Sequence, residues 1–349
     1  METEQKSSDM NQGHRYLIVK LAAIGDVIMA LPMLEAIREG DKNANITWVC
    51  GRSVGTLLRE MPIDKLIVVD ENKILKGNKF SKVKEVVKLW YSIGVCFWDY
   101  IFVCHSDKRY RILTFFSRSK VIRYMHASRK RPIPLAGRFF SDEYVRMVLG
   151  NELYGKCEQQ SMVLHKQIPL HHEIENLFLG YRFKVVLSPG GIKGPEIDAK
   201  WCRRWPLNYY RDLAVLLIKH GICVIVTGGS SDRWCSEAFS DLDIVDCIGK
   251  FTLLESLAIF QRTDLVITHD SGPLHLAGVA GTKIVGIFGP TSPDVFLPRG
   301  KNNIALWRRD KFACCPCYDG KYYAECKNNS CMQAITPCDV FESVKKILL

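Results

Sequence analysis

The stretch Thr268–Pro293, THDSGPLHLAGVAGTKIVGIFGPTSP, spells out a complete strand–turn–helix–strand unit. The residues that open it, Leu265–Thr268, are short, apolar and β-branched, the pattern of a buried strand. Gly272 removes the side chain at the turn, and Pro273 has the fixed φ that suits a first helical turn. Leu274, Leu276, Ala277 and Ala280 continue the helix, which the sequence predicts to stop near Gly281. Lys283–Phe288 is the next buried strand and ends in Gly289-Pro290-Thr291. A turn of this kind presents backbone N–H groups at a helix N-terminus, where free amides and helix dipole both favour an anion. The same pattern describes a tight turn in any α/β sheet, so the stretch alone leaves turn and phosphate site both open.

Outward from this unit the second half keeps the same rhythm. Lys184–Leu187 and Cys223–Thr227 read as strands, Leu207–His220 and Leu253–Arg262 as helices. Two further turns, Ser188-Pro189-Gly190-Gly191 and Gly228-Gly229-Ser230-Ser231-Asp232, follow strand ends. With His269–Gly272 they would line one sheet edge with small residues and free amides, as a nucleotide diphosphate requires. In KWCRRWP, Lys200, Arg203 and Arg204 precede a helix; one of them suits a departing β-phosphate, and a surface basic cluster is the plainer alternative. Asp232 suits a ribose hydroxyl or a helix cap. Asp241-Leu242-Asp243 has the spacing of a metal–nucleotide carboxylate pair but precedes a strand, and is set aside. No P-loop and no G-x-G-x-x-G follows the first strand.

The first half alternates likewise. Tyr16–Lys20, Asn45–Cys50, Leu66–Val69, Tyr100–Val103 and Val121–Arg123 read as strands, with helices from about Asp26 to Glu39 and over Lys82–Ile93. Pro32 falls within the first helix and bends it. Such alternation predicts parallel sheets covered by helices on both faces. Leu149–Arg182, polar and carrying His165, His171 and His172, interrupts the rhythm; its later part reads as a linker and its histidines as solvated. Asp26, between the first strand and its helix, suits either an N-cap, which spacing alone favours, or a base that takes a proton from an attacking hydroxyl.

Composition narrows the class. The chain has 349 residues, 47% of them hydrophobic, enough for two domains with full cores. Met1–Gly13 is polar and lacks the apolar core of a signal peptide, and no apolar run approaches about 18 residues. The expectation is a soluble cytoplasmic protein. A net charge of +11, concentrated in the first half around Lys79–Lys88, Lys108–Arg111 and Arg118–Arg138, favours an anionic partner over a neutral one. Fourteen cysteines in a long chain of this kind point to buried thiols or metal ligands rather than disulfides. Cys314 and Cys317 have chelate spacing, and Cys326 with Cys331 would complete four thiolates; packed free thiols are the alternative.

Three segments, LAAIGDVIMALPMLEAIRE, RRWPLNYYRDLA and the Thr268–Pro293 stretch, together resemble the ADP-heptose:lipopolysaccharide heptosyltransferases, glycosyltransferase family nine. The resemblance runs from about Arg15 to the C-terminus. It implies a GT-B fold, two Rossmann-like doubly wound α/β domains facing across a cleft. The corresponding domains are 14–170 for the acceptor and 183–335 for the nucleotide sugar, the latter with the Cys-rich segment 314–338, followed by a helix at 336–349. It implies inverting transfer of heptose from ADP-heptose with no metal required for catalysis, and Asp26 as general base. Donor contacts are implied at Arg203, Asp232, Asp270, Ser271, Gly272 and His275, with Asp270 towards the sugar, Ser271 and Gly272 towards the diphosphate, and a satisfied buried histidine the alternative for His275; the turns and the basic segment add Ser188, Gly190, Lys200 and Gly229 as candidates. The acceptor would be a phosphorylated glycolipid of the lipopolysaccharide inner core at the inner membrane surface, making the enzyme cytoplasmic or peripheral there. One branch of the family glycosylates proteins and holds iron near such cysteines, so a structural zinc or iron at Cys314, Cys317, Cys326 and Cys331 is a further expectation. A protein acceptor, or another nucleotide sugar, is the alternative within the fold. A basic nucleic-acid-binding protein with a Cys knuckle is the alternative outside it; no nucleic-acid partner is expected, because no recognised motif accompanies the charge.

Overall fold

A computed structural model describes residues 13–125, 138–150, 161–191, 201–320 and 322–349. The chain divides into two compact units. One comprises residues 1–135 and 140–159, the other residues 136–139 and 160–349.

The first unit is built on five parallel strands. In chain order these are β1 (Arg15–Val19), β2 (Asn45–Gly51), β3 (Lys65–Val69), β4 (Phe97–Val103) and β5 (Arg118–Tyr124), and they lie in the order β3-β2-β1-β4-β5. Helices α1 (Ile24–Ala30), α2 (Pro32–Gly40), α3 (Arg52–Leu58), α4 (Glu71–Lys76), α5 (Lys79–Ile93) and α6 (Phe140–Leu149) accompany them. Leu17, Ile18 and Val19 are fully buried, as a central strand covered on both faces must be. The single bent helix expected before Glu39 is instead two helices. Pro32 starts the second at its first position, where a missing N–H costs nothing, so it begins a helix rather than bending one. Helix α5 starts three residues earlier than its apolar spacing suggested, because the Asn78 side chain caps it by accepting from the Ser81 N–H at 2.9 Å.

The second unit has six parallel strands, β6 (Lys184–Ser188), β7 (Cys223–Gly228), β8 (Val245–Ile248), β9 (Leu265–His269), β10 (Lys283–Phe288) and β11 (Ile304–Trp307), ordered β11-β10-β9-β6-β7-β8. Its helices are α7 (His172–Asn176), α8 (Leu207–Lys219), α9 (Leu253–Phe260), α10 (Gly272–Ala280), α11 (Pro293–Phe296), α12 (Ser330–Gln333) and α13 (Pro337–Leu348). Gly281, at φ 72°, closes α10 in the left-handed conformation that favours glycine, as its place after the apolar run predicted. Trp205, buried among Leu213, Ile335 and Val340, donates its indole N–H to the Ile335 carbonyl at 2.7 Å and ties α8 to the C-terminal helices.

Residues 161–182, expected as linker, dock on the second unit instead. Leu164 N–H donates to the Val279 carbonyl, Ile168 N–H to Gln261, and Arg262 to Glu175 at 2.8 Å. His165, His171 and His172 are exposed, as expected of solvated residues.

In both units the strand order reverses beside the first strand, between β1 and β4 and between β6 and β9. At such a reversal the connections leave in opposite directions and open a crevice at the strand C-termini, the usual ligand position in doubly wound sheets.

Candidate active site

In the first unit the reversal places two chain segments side by side, the residues after β1 and those after β4. Asp26 occupies the first turn of α1, three residues past the N-cap Ala23, so it is not the cap that spacing favoured. Its Oδ2 lies 3.1 Å from Lys20 Nζ, which directly follows β1. The exposures are unequal, 3% for the lysine side chain and 43% for the aspartate. The buried ammonium rests 5.6 Å from the centre of the Tyr144 ring of α6, and from there it fixes a carboxylate whose other side reaches solvent. His105, just past β4, stacks flat on Tyr110, with ring centres 3.9 Å apart. Burial, then the Lys20 charge, pushes His105 down to about 4, so the ring is neutral near pH 7. Its Nδ1 accepts the Asp107 N–H at 2.9 Å, which leaves Nε2 carrying the proton. Lys20 and His105 escaped the sequence reading. The available signal was a charge closing the apolar run YLIVK at the same sheet edge as Asp26.

In the second unit the order β9-β6-β7 puts three strand ends next to one another, and with them the three glycine turns. A Cβ on Gly191 would meet the Ser271 side chain at 2.9 Å, so the turn after β6 lies against the start of α10. Asp232 joins the other pair: Oδ1 accepts the Gly191 N–H at 3.2 Å and Oδ2 the Gly229 N–H at 2.8 Å. A Cβ on Gly190 would collide with that carboxylate at 2.3 Å. Burial raises the Asp232 pKa even against these bonds. Both Asp232 oxygens thus hold backbone N–H groups, the capping alternative, and each keeps a second lone pair able to accept from a ribose hydroxyl. Ser188 is also spent internally, its hydroxyl 2.7 Å from that of Thr227.

The tip of α10 is the open part of this edge. Ser271 is the N-cap residue, yet its hydroxyl donates to the His269 carbonyl and does not cap the helix. Pro273 has no N–H, and the partly exposed Gly272 opens the helix, so the positive end of the helix dipole lies at this turn. Arg203, in a short 3-10 turn, lies 3.4 Å from the buried Asp270 and 5.3 Å over the Tyr323 ring. Its buried Nε has no acceptor among the described residues, as a donor awaiting an anion would have. His275 Nε2 is 4.0 Å from the other Asp270 oxygen. Lys200 lies outside the described residues. Asp241 is taken up by Arg211 through two bonds of 2.6 and 2.7 Å, as its exclusion from the site anticipated.

The four-thiolate metal site finds no support among the described residues. Among the described residues no group of three or more His, Cys, Asp or Glu is placed to hold a metal. Cys331 sits in the apolar core and shares a hydrogen bond with the Cys315 thiol, while Cys317, Cys326 and Cys314 lie near enough to act on it electrostatically. Cys314 is exposed, and the Cys326 sulfur accepts the Asn329 N–H at 3.3 Å. The segment instead braces the site: Cys317 and Tyr318 donate backbone N–H bonds to the Pro290 carbonyl, and Asn329 donates to the Arg204 carbonyl at 2.9 Å.

Gly191 tests how closely the turns must fit. At φ 85° with Ser271 at 2.9 Å, Gly191→Ala costs about 1–3 kcal/mol in urea unfolding and also weakens ADP binding by calorimetry. Gly180, at φ 84° with nothing within 4 Å of its Cβ position, is the control: Gly180→Ala loses stability but keeps ADP affinity. Equal loss of affinity in both variants would show that the contact at Ser271 does not matter.

Two parallel doubly wound units, each with polar residues at the reversal of strand order, have the architecture of the GT-B fold. Solved structures match over nearly the whole chain. A glycosyltransferase family 9 protein of Veillonella parvula superposes with TM-score 0.74 at 22% identity, covering 96% of this chain and 97% of that one. The ADP-heptose heptosyltransferase II of Escherichia coli gives 0.71 at 17% identity, covering 96% and 98%. The sequence pattern of glycosyltransferase family 9 (heptosyltransferase) matches residues 160–326. Among curated proteins, lipooligosaccharide heptosyltransferase 2 of Campylobacter jejuni is 27% identical over 93% of this chain and 95% of its own length. A lipopolysaccharide core heptosyltransferase of Haemophilus influenzae is 24% identical over 79% of each. These matches make the chain a glycosyltransferase that is similar to the heptosyltransferases of family 9.

Proposed function

We propose that the chain transfers a heptose from ADP-heptose to a phosphorylated glycolipid acceptor of the lipopolysaccharide inner core, with inversion at the anomeric carbon and Asp26 as general base. The relatives are heptosyltransferases of lipopolysaccharide and lipooligosaccharide, which supports both sugar and acceptor class. The observation that carries the mechanism is the pairing of a solvent-reaching Asp26 with a buried Lys20 at the β1–β4 reversal. A carboxylate so held can take the proton of the acceptor hydroxyl as its oxygen attacks the anomeric carbon. The C–O bond to the diphosphate breaks on the opposite face, and ADP leaves with the bonding electrons. In the second unit the α10 tip and Arg203 supply positive potential where that charge develops, and the unpartnered Arg203 Nε supplies a donor. An arginine fork and a helix N-terminus can do what a divalent cation does in other transferases, which supports turnover without one.

The test is calorimetry with ADP-heptose, ADP-glucose, a UDP-sugar and ADP, followed by transfer assays in EDTA. The expected result is selective binding of the ADP ligands and turnover unchanged by chelation. A preference for the UDP-sugar, or loss of turnover in EDTA, removes the donor or the metal-independent part of the proposal respectively.

A further inference from the structure

Helix α5 and the 3-10 helix Lys108–Thr114 carry a surface that the transfer reaction does not use. Their aromatic side chains point the wrong way for a soluble core. Phe80 is 80% exposed, Tyr91 89%, Phe115 71% and Phe116 60%. The two elements form one face: Trp90 Nε1 donates to the Ile112 carbonyl at 2.8 Å, and its ring meets Phe116 edge-on at 4.7 Å. Between them an apolar slot of about 400 Å³ runs past Val83, Val87, Trp90, Ile112 and Leu113. Monomeric proteins rarely leave so much contiguous apolar surface without a partner.

The charge around the patch says which partner. Residues 72–120 hold eleven lysines and arginines against three acids. Of the acids, Glu85 is buried and accepts the Asp70 N–H, Asp107 is paired with Arg109, and Asp99 with Lys120. Lys79, Lys84, Lys88 and Lys108 are exposed and form no ion pair among the described residues. Exposed aromatic and aliphatic side chains ringed by long cationic ones are what an anionic bilayer surface recognises: rings enter the headgroup boundary while ammonium groups meet phosphates. Helix α5 has 15 residues with Glu85 and four lysines among them, so it lies on such a surface and does not span it.

We infer that this face docks the first unit on an anionic phospholipid bilayer, with Phe80, Tyr91, Phe115 and Phe116 inserted and Lys79, Lys84, Lys88 and Lys108 on the headgroups. The slot shares Tyr110 with the site already described, since that ring backs the slot and stacks on His105. Docking therefore holds the Asp26 edge near the plane in which a glycolipid acceptor lies; only this consequence rests on the proposed function.

Co-sedimentation with vesicles tests the docking with neither donor nor acceptor present, so its failure is distinct from failure of the transfer reading. The intact chain is expected to sediment with vesicles of phosphatidylcholine and phosphatidylglycerol, and at least about tenfold less with phosphatidylcholine alone. Phe80→Ser with Phe115→Ser, and separately Lys84→Glu with Lys88→Glu, should each weaken binding about tenfold or more while thermal unfolding and ADP affinity stay unchanged. Three results overturn the inference: no binding by the intact chain, equal binding to neutral vesicles, or variants that bind as the parent does. A dimer in sedimentation analysis that the Phe80→Ser, Phe115→Ser variant dissolves would also overturn it, by showing that a second copy covers this face.

Discussion

Asp26→Asn lowers the rate of sugar transfer by about 10²–10⁴-fold, the usual contribution of a positioned proton acceptor. The substitution keeps the shape and leaves an oxygen for Lys20 Nζ, now 3.1 Å away, but removes the group that takes the proton. ADP-heptose affinity should stay within about twofold, because the proposed donor contacts belong to the second unit. Stability should fall by about 1–2 kcal/mol. Lys20 is buried and loses its charged partner, but Asp26 is 43% exposed, so screening discounts what the pair is worth. The measurement is kcat and KM with synthetic donor and acceptor, beside calorimetry and urea unfolding. Turnover within about threefold of the parent would show that the proton goes elsewhere.

Arg203→Ala carries the second-largest effect, a fall of about 10²–10³-fold in kcat, the scale for removing one preorganised donor from a developing anion. ADP affinity falls with it, since the diphosphate is charged before and after transfer. This variant also leaves Asp270, which is 4% exposed, without the cation 3.4 Å from it. A stability loss of about 3 kcal/mol is therefore expected from the orphaned carboxylate, and it could be mistaken for a catalytic effect. The double substitution Arg203→Ala, Asp270→Asn separates the two: stability returns and turnover does not. Arg203→Lys should recover little, because an ammonium cannot reproduce the planar fork resting over the Tyr323 ring. If the double variant regains turnover together with stability, Arg203 is a structural residue and has no part in the departure of ADP.

The chemistry of these two residues was visible in the sequence to different degrees. Arg203 stood in a recognisable KWCRRWP segment, but nothing there chose between Arg203 and Arg204. The fold gives the two different surroundings. Arg203 turns to Asp270 and Tyr323, whereas Arg204 lies 5.0 Å over the Trp234 ring and gives its carbonyl to Asn329. Asp26 was visible as an acid between strand and helix, yet spacing alone favoured a cap, because a capping aspartate and a catalytic one occupy the same few positions. What excludes the cap is the place of Asp26 three residues inside the helix, with Lys20 brought to 3.1 Å from it by the turn after β1. The cysteines show the same limit. Chelate spacing along the chain says which thiols lie within reach of one another, not which of them the core claims, and it claims Cys315 and Cys331.

Local pattern determined the elements of this protein. The alternation of β-branched runs with helical spacing, the Gly-Pro start of α10 and the glycine at its end depend only on neighbours in the chain, and each appears where that pattern predicts. The order of the strands is different in kind, because it depends on pairings between segments tens of residues apart. Only the tertiary structure placed β6 between β7 and β9, and so gathered three glycine turns onto one edge. It alone spent Asp232 on holding those turns together and left Phe80, Tyr91, Phe115 and Phe116 uncovered. Burial is a property of the assembled fold: the same carboxylate or ring serves as brace, ligand contact or docking surface according to what packs against it.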